Sequence, residues 1–301
     1  MTSPLYQHND VARIIDLALS EDLREQGDVT CRALVPPSAQ LQATITAKAA
    51  GVVCGLGLFG LVIEQLRARG HGAVTIDVAS ADGTAVAVGD VVLRAHGDAT
   101  TLLIGERTAL NLSQRLSGTA TLTQRYVQAV AGTRAGIFDT RKTSPGLRLL
   151  QKWAVVCGGG RNHRIGLYDQ VLIKDNHIAL MAGERGSSPA AEAVRRCRAA
   201  LGPATVVEVE IERLEDLEPV IQAGADIVLL DNLGVEALRE AVGRRDALAR
   251  PGTRPTELEA SGGITLETVR AVALSGVERI STGELTHSVR ALDLSMRCRA
   301  G

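Results

Sequence analysis

Between Thr140 and Tyr168 the chain carries Arg141, Lys142, Arg148, Lys152, Arg161 and Arg164, with His163 among them, and no acidic residue. Left alone these charges repel one another. They need acids from elsewhere in the fold or an anionic ligand, and a substrate with several carboxylates or phosphates is the natural partner. Gly158, Gly159 and Gly160 interleave the cations, which argues against a plain solvated helix face. Lysine usage sharpens the point, because only four lysines, Lys48, Lys142, Lys152 and Lys174, stand among thirty-three basic residues. Where arginine is so favoured, a lysine at a strand end does something arginine does not, such as presenting a compact charge to a phosphate or forming a Schiff base. Lys142 and Lys174 qualify, whereas Lys152, on a predicted helix, is expected at the surface.

Glu210 and Asp231 close adjacent predicted strands and can face one site. Paired carboxylates do acid/base work, hold Mg²⁺ or accept hydrogen bonds from a ribose diol, and the residues alone leave all three open. Glu208 lies two positions before Glu210, so both point to one side of a strand, one deeper than the other, and one of them is a candidate buried acid. Two further strands end in Ser261-Gly262-Gly263 and Ser281-Thr282-Gly283. Glycine there lets backbone N–H groups approach a phosphate, and the helix predicted after Thr265 adds its dipole.

The elements that must position these residues follow from periodicity. Asn9 to Glu21 reads as a capped helix. Short Val-, Ile- and Thr-rich runs extend from Leu41 to about His96, interrupted by a helix from Leu58 to Arg69. Thr100 to Ala131 is a long helical stretch, expected to bend or break near Ser117-Gly118. After Gly132 six apolar runs (GIFDTRK, QVLIKDN, TVVEVEI, DIVLLDN, ELEASGG and RISTGEL) alternate with helical segments. That alternation makes parallel strands joined by crossover helices, closed into a barrel or opened as a doubly wound sheet; six such units make a short or incomplete barrel, with ligand-binding residues at the carboxyl ends of the strands. Gly243 to Pro255, with two prolines and little apolar content, is expected to be a flexible insertion.

Composition narrows the function. At 301 residues, 45% hydrophobic and 22% charged, the chain has material for a sizeable core. A net charge of -1 provides no global field for nucleic acid or an anionic membrane, and an aromatic content of 2% leaves few residues for a base-stacking platform. The five cysteines are widely separated and form no C-x-x-C, so neither a disulfide scaffold nor a closed zinc site is expected. The opening MTSPLYQHND shows no secretory signal, and the apolar stretch from Ala49 to Ile63 is too short and too glycine-rich for a membrane span, which favours the cytoplasm.

Several long blocks resemble one family, the quinolinate phosphoribosyltransferases: EDLREQGDVT from Glu21, GERTALNLSQRLSGTATLT from Gly105, DTRKTSPGLRLLQKWAV from Asp139, GGGRNHRIGLYDQVLIKDNHI from Gly158, and the later VEVE, LLDN, LEASGGI and ISTGELTHS. Ser144 and Trp153 depart from the family's usual threonine and tyrosine. The resemblance implies an α/β fold: an N-terminal α/β sandwich (residues 1–115, rejoined by 285–301) and an incomplete, six-stranded parallel α/β barrel (116–284). It implies phosphoribosyl transfer from 5-phosphoribosyl 1-pyrophosphate to quinolinate with decarboxylation, Mg²⁺ as cofactor, and a homodimer whose site is completed by Arg107 from the partner subunit. By motif, Arg107, Arg141, His163, Arg164 and Lys174 would surround the quinolinate carboxylates, with Thr140 beside them. Lys142, Glu210, Asp231, Ser261, Gly262 and Gly263, together with Ser281, Thr282 and Gly283, would hold the phosphoribosyl donor. Lys142, Lys174, Glu210 and Asp231 are the catalytic candidates. Mg²⁺ would ride mainly on the pyrophosphate, with Glu210 or Asp231 as its possible protein contact. Three rivals remain: a Schiff-base aldolase using Lys174, a relative acting on another pyridine or pyrimidine acid, and a non-catalytic anion-binding protein.

Overall fold

Apolar residues at helical spacing, Val11, Ile15 and Leu19, bury one face of helix α1 (Asn9–Leu23), the first long element of the computed structural model, which describes residues 4–180, 188–248 and 255–300. Asp28 caps α2 (Val29–Leu34) by accepting the Thr30 and Cys31 N–H groups. Strand β1 (Gln40–Ala47) buries every second residue from Ala43, the two-residue period of a half-covered sheet. Then follow β2 (Gly51–Val52), α3 (Leu58–Ala68), β3 (Val74–Val78), β4 (Ala85–Val86) and β5 (Val91–Asp98). Asp98 starts helix α4 (Ala99–Ala129) by accepting the Thr101 N–H at 2.8 Å.

Helix α4 runs unbroken through Ser117 and Gly118, where the sequence predicts a break. Gly118 is there for a close approach: a Cβ on it would lie 2.3 Å from the Arg290 carbonyl oxygen. Ser117 Oγ accepts the Cys54 N–H at 2.9 Å and donates to the Cys54 carbonyl. Such contacts outweigh the roughly 1 kcal/mol that glycine costs a helix interior.

The remaining elements are β6 (Gly136–Phe138), α5 (Arg148–Cys157), β7 (Val171–Ile173), α6 (Asp175–Ala179), α7 (Pro189–Leu201), β8 (Val207–Ile211), α8 (Leu217–Gln222), β9 (Ile227–Asp231), α9 (Val235–Ala247), β10 (Glu257–Ser261), α10 (Val269–Ala273), β11 (Arg279–Ser281), α11 (Glu284–His287) and β12 (Leu294–Ala300). An antiparallel sheet has the order β12-β1-β5-β3, and a parallel sheet of six strands has the order β6-β11-β10-β9-β8-β7. Because the last parallel strand, β11, pairs with the first, β6, the sheet curls round and stays open between β6 and β7: an incomplete α/β barrel. Strand β9 is apolar on both faces (Ile-Val-Leu-Leu), as a strand covered by helices must be, whereas β8 and β10 carry glutamates among their apolar residues.

Two compact units divide the chain. The first contains the chain to Gln124, Thr143–Gly159 and everything from Leu285, with β12 rejoining the N-terminal sheet beside β1. The second, Arg125–Lys142 and Gly160–Glu284, holds the barrel. The division expected at residues 115 and 116 falls inside α4, and α5, expected with the barrel, belongs to the first unit.

Two expectations need correction. Lys152 is not a surface residue but 1% exposed, because it shares the inner side of α5 with Leu150, Gln151, Ala154 and Val155. The expected flexible insertion from Gly243 is helical as far as Ala247. Arg245, 3% exposed, ties it down through Glu278 at 3.0 Å and the Thr256 carbonyl at 2.8 Å, while residues 249–254 lie outside the described residues. Among the described residues no helix is long and apolar enough to cross a membrane.

Candidate active site

The end of β6 and the segment around Arg161 form one mouth of the barrel. Arg161 bridges to Phe138 in parallel, donating its N–H to the Ile137 carbonyl at 2.8 Å and accepting the Asp139 N–H at 3.1 Å. That partial seventh strand brings His163 and Arg164 beside Asp139, Thr140, Arg141 and Lys142. Asp139, fully buried, accepts the His163 N–H at 2.9 Å, and Thr140 Oγ1 accepts the Lys142 N–H at 3.0 Å. Arg164 is buried and donates to the Gln170 carbonyl at 3.2 Å. Burial, and then the charge of Arg141 close by, push the Arg164 guanidinium below its ordinary pKa. Neither arginine makes an ion pair among the described residues, and Arg141 Nε is buried there without a hydrogen-bond partner. A buried guanidinium beside a half-buried one with an orphaned donor has the chemistry to take an anion.

Below the mouth lies a charged floor that the sequence only half reveals. Glu208 is the buried acid of the Glu208/Glu210 pair, 0% exposed, and its carboxylate reaches His163 Nε2 at 2.9 Å. Glu259 on β10, also fully buried, is 3.5 Å from the same nitrogen. Arg279 on β11 donates to Glu259 at 2.6 Å and lies 3.8 Å from the Phe138 ring centre, and Gln170 donates to Glu208 at 2.6 Å. Burial and then the neighbouring Glu259 raise the Glu208 pKa. Burial opposes a charge on His163, but its hydrogen bond to Glu208 and the two acids outweigh that and raise its pKa. Both ring nitrogens of His163 are turned to protein, since Nδ1 accepts the Arg164 N–H at 2.8 Å. His163 therefore fixes the arginine mouth onto the barrel floor. Glu259 and Arg279 were missed from sequence; the signal was a glutamate at the centre of an otherwise buried parallel strand.

The other strand ends carry the remaining candidates. Lys174, exposed after β7, pairs with Glu210 at 3.1 Å, and its N–H donates to His177 Nδ1 at 2.9 Å. A half-exposed, ion-paired ammonium suits ligand binding better than Schiff-base chemistry, which needs a desolvated neutral amine. Glu210 also lines a cavity of about 320 Å³ with Asp175, Ile178 and Arg213. Asp231, half-buried, accepts the Asn232 amide at 2.6 Å; Asn232 is left-handed with φ 56° and donates its own N–H to the Ser261 carbonyl. Gly262 packs so closely that a Cβ would lie 2.2 Å from Asn232 Oδ1, whereas nothing lies within 4 Å of the Cβ position of Gly263. Gly263, exposed, leaves its backbone open to a ligand. Ser281 and Thr282 are buried, and Thr282 Oγ1 donates to the Ile264 carbonyl and accepts the Glu284 N–H. Arg107 belongs to the first unit, on α4, where its side chain is 62% exposed and its ion pair is Glu106 at 3.9 Å.

Comparison with known proteins agrees over the whole chain. The sequence profile of the quinolinate phosphoribosyl transferase N-terminal domain matches residues 28–117, and that of the C-terminal domain matches residues 119–297. A nicotinate-nucleotide pyrophosphorylase [carboxylating] of Mycobacterium leprae is 42% identical over 289 residues, covering 95% of this chain and 97% of its own length. A probable enzyme of the same name from Bacillus subtilis is 40% identical, covering 96% and 93%. The solved nicotinate-nucleotide pyrophosphorylase of Francisella tularensis superposes with a TM-score of 0.86 at 34% identity, covering 99% of this chain and 100% of that one.

Proposed function

The chain belongs to the quinolinate phosphoribosyltransferase family, and from that premise we infer how its barrel performs the family's reaction. The reaction is a pentosyl transfer in NAD biosynthesis: 5-phosphoribosyl 1-pyrophosphate and quinolinate give nicotinate mononucleotide, pyrophosphate and CO₂. The observation that carries our assignment of residues is the mouth formed by Arg141 and Arg164, two adjacent guanidiniums with no carboxylate partner among the described residues and an unsatisfied Nε on Arg141. A ring bearing two adjacent carboxylates satisfies both.

In this reading Arg141, Arg164 and Lys174 grip the quinolinate carboxylates, with Thr140 beside them, His163 holding the arginines in place and Arg107 of the partner subunit in a homodimer completing the grip. The phosphoribosyl donor lies across Lys142, Glu210 and Asp231, its phosphate against Ser261, Gly262 and the open backbone of Gly263, with the Ser281, Thr282 and Gly283 turn beside it. The pyridine nitrogen attacks the anomeric carbon as the bond to pyrophosphate breaks. Glu210 and Asp231 orient the ribose hydroxyls and tolerate the positive charge that develops on the sugar. Once quaternised, the ring nitrogen is an electron sink, so the carboxylate on the neighbouring carbon leaves as CO₂ and that carbon takes up a proton. Mg²⁺, when bound, neutralises the departing pyrophosphate. Glu210 and Asp231 suit it as single carboxylates outside any three-ligand cluster of the described residues, as for an ion held mainly through substrate phosphates. We place this chemistry in the cytoplasm.

The test is to incubate the purified chain with quinolinate, phosphoribosyl pyrophosphate and Mg²⁺. Nicotinate mononucleotide and CO₂ should appear in equal amounts. Turnover of another pyridine or pyrimidine acid in preference to quinolinate would overturn the substrate assignment.

A further inference from the structure

The first unit brings together two thiols and a carboxylate that the reaction does not use. Cys54 and Cys157, 103 positions apart in sequence, have their sulfurs 3.7 Å apart, and the Asp82 carboxylate lies close enough that one ligand atom from each falls within 4.8 Å of the others. Each is anchored separately. The Cys54 backbone is held on both sides by Ser117, and Cys54 is fully buried. Cys157 ends α5 beside Gly158, which packs so tightly that a Cβ would lie 2.3 Å from the Ala120 carbonyl oxygen. Asp82 Oδ1 accepts the Gly55 N–H at 2.9 Å, and Oδ2 accepts the Trp153 indole N–H at 2.9 Å and the Tyr6 hydroxyl.

The spacing has a chemical meaning. Zinc–thiolate bonds of about 2.3 Å at a tetrahedral angle put two sulfurs about 3.8 Å apart. Asp82 makes no ion pair among the described residues, and its carboxylate is stabilised by neutral donors alone, from Gly55, Trp153 and Tyr6. That carboxylate works against reactive thiolates: the hydrogen bond to Cys157, burial and then Asp82 all raise the Cys54 pKa, and burial followed by neighbouring acidic groups raises that of Tyr6. Low-pKa redox cysteines sit in electropositive surroundings, and this cluster has the opposite polarity. The second cluster of potential ligands, His163, Glu208 and Glu259, already has the Arg279 cation and lacks sulfur.

We propose that Cys54, Cys157 and Asp82 form a binding site for a borderline-soft divalent cation of the zinc class, with water as the fourth ligand. Binding releases two thiol protons, M²⁺ + 2 RSH + RCOO⁻ giving an anionic M(SR)₂(OOCR) centre and 2 H⁺, and the three donors on Asp82 spread the remaining charge. Thiolate ligands select this class over magnesium or calcium. The ion ties the loop after β2 and the turn between β3 and β4 to the end of α5.

The test uses the full chain, reduced and stripped with a chelator, titrated with Cd²⁺ alone. One equivalent should generate an ultraviolet thiolate-to-metal charge-transfer band and raise the melting temperature. Cys54→Ser should weaken binding at least tenfold and Asp82→Asn measurably, while Cys298→Ser, at an exposed cysteine elsewhere, should leave it unchanged. No thiolate band in the folded wild-type chain overturns the proposal, and that result needs no variant to fold. So does a band of full strength in Cys54→Ser, or a thiol count two short of five in unreduced protein, which would mean a Cys54–Cys157 disulfide instead.

Discussion

The mouth and the floor of the barrel both carry several charged side chains, yet they are built on opposite plans. On the floor, His163, Glu208, Glu259 and Arg279 are paired with one another at 2.6–3.5 Å. At the mouth, Arg141 and Arg164 feel each other's charge and make no ion pair among the described residues. Charges taken out of water are tolerable only when paired. The floor is paired by the fold itself and so fixes geometry; we propose that the mouth is left for a ligand to pair and so sets specificity. Stability should therefore depend on the floor, and substrate affinity on the mouth.

The largest effect that would separate them is on the floor. Glu208→Ala leaves His163 Nε2 and the Gln170 amide without their carboxylate and should cost about 4 kcal/mol of unfolding free energy, read by urea denaturation. A loss below about 1 kcal/mol would mean the floor is not what holds the barrel. At the mouth the pattern should reverse. Arg141→Ala relieves like-charge repulsion, so stability should stay level or rise, while quinolinate affinity falls by about 3 kcal/mol, more than a hundredfold by calorimetric titration. An equal loss of stability would erase the distinction.

A smaller effect comes from pH. Glu208 and His163 both have raised pKa values, so the folded chain holds their protons more tightly than the unfolded chain does. Their contribution is complete below about pH 4.3, the unfolded carboxylate value, and is lost as pH rises through the two folded values, with a slope of at most about 1.4 kcal/mol per pH unit for each proton. Denaturation at a series of pH values should show stability falling from mildly acidic to mildly alkaline conditions, and Glu208→Gln should flatten the slope. A rise with pH in the wild type would contradict these directions.

Much of this plan was legible in the sequence, for identifiable reasons. Six apolar runs ending in polar residues are a local pattern, and all six became the parallel strands. The unbalanced cations between Thr140 and Tyr168 are likewise local, and Arg141, Lys142, Arg161 and Arg164 among them fall in the barrel unit, whereas Arg148 and Lys152 lie on α5 of the first unit. What was hidden depends on contacts distant in sequence. Arg279 and Glu259 find each other only across two adjacent strands, Gly118 is read as a breaker until Arg290 is seen packed on it, and Lys152 is buried by its surroundings rather than by its type. The contact between Cys54 and Cys157 was hidden most deeply, because nothing in the spacing of the cysteines announces it.

The central proposal is that Arg141 and Arg164, which make no ion pair among the described residues, receive a dicarboxylate. A crystal structure of the full chain with quinolinate tests it most directly: the account predicts one carboxylate oxygen within hydrogen-bond distance of Arg141 Nε and the other carboxylate reached by Arg164. Quinolinate bound elsewhere, with both guanidiniums still lacking an anionic partner, would contradict it.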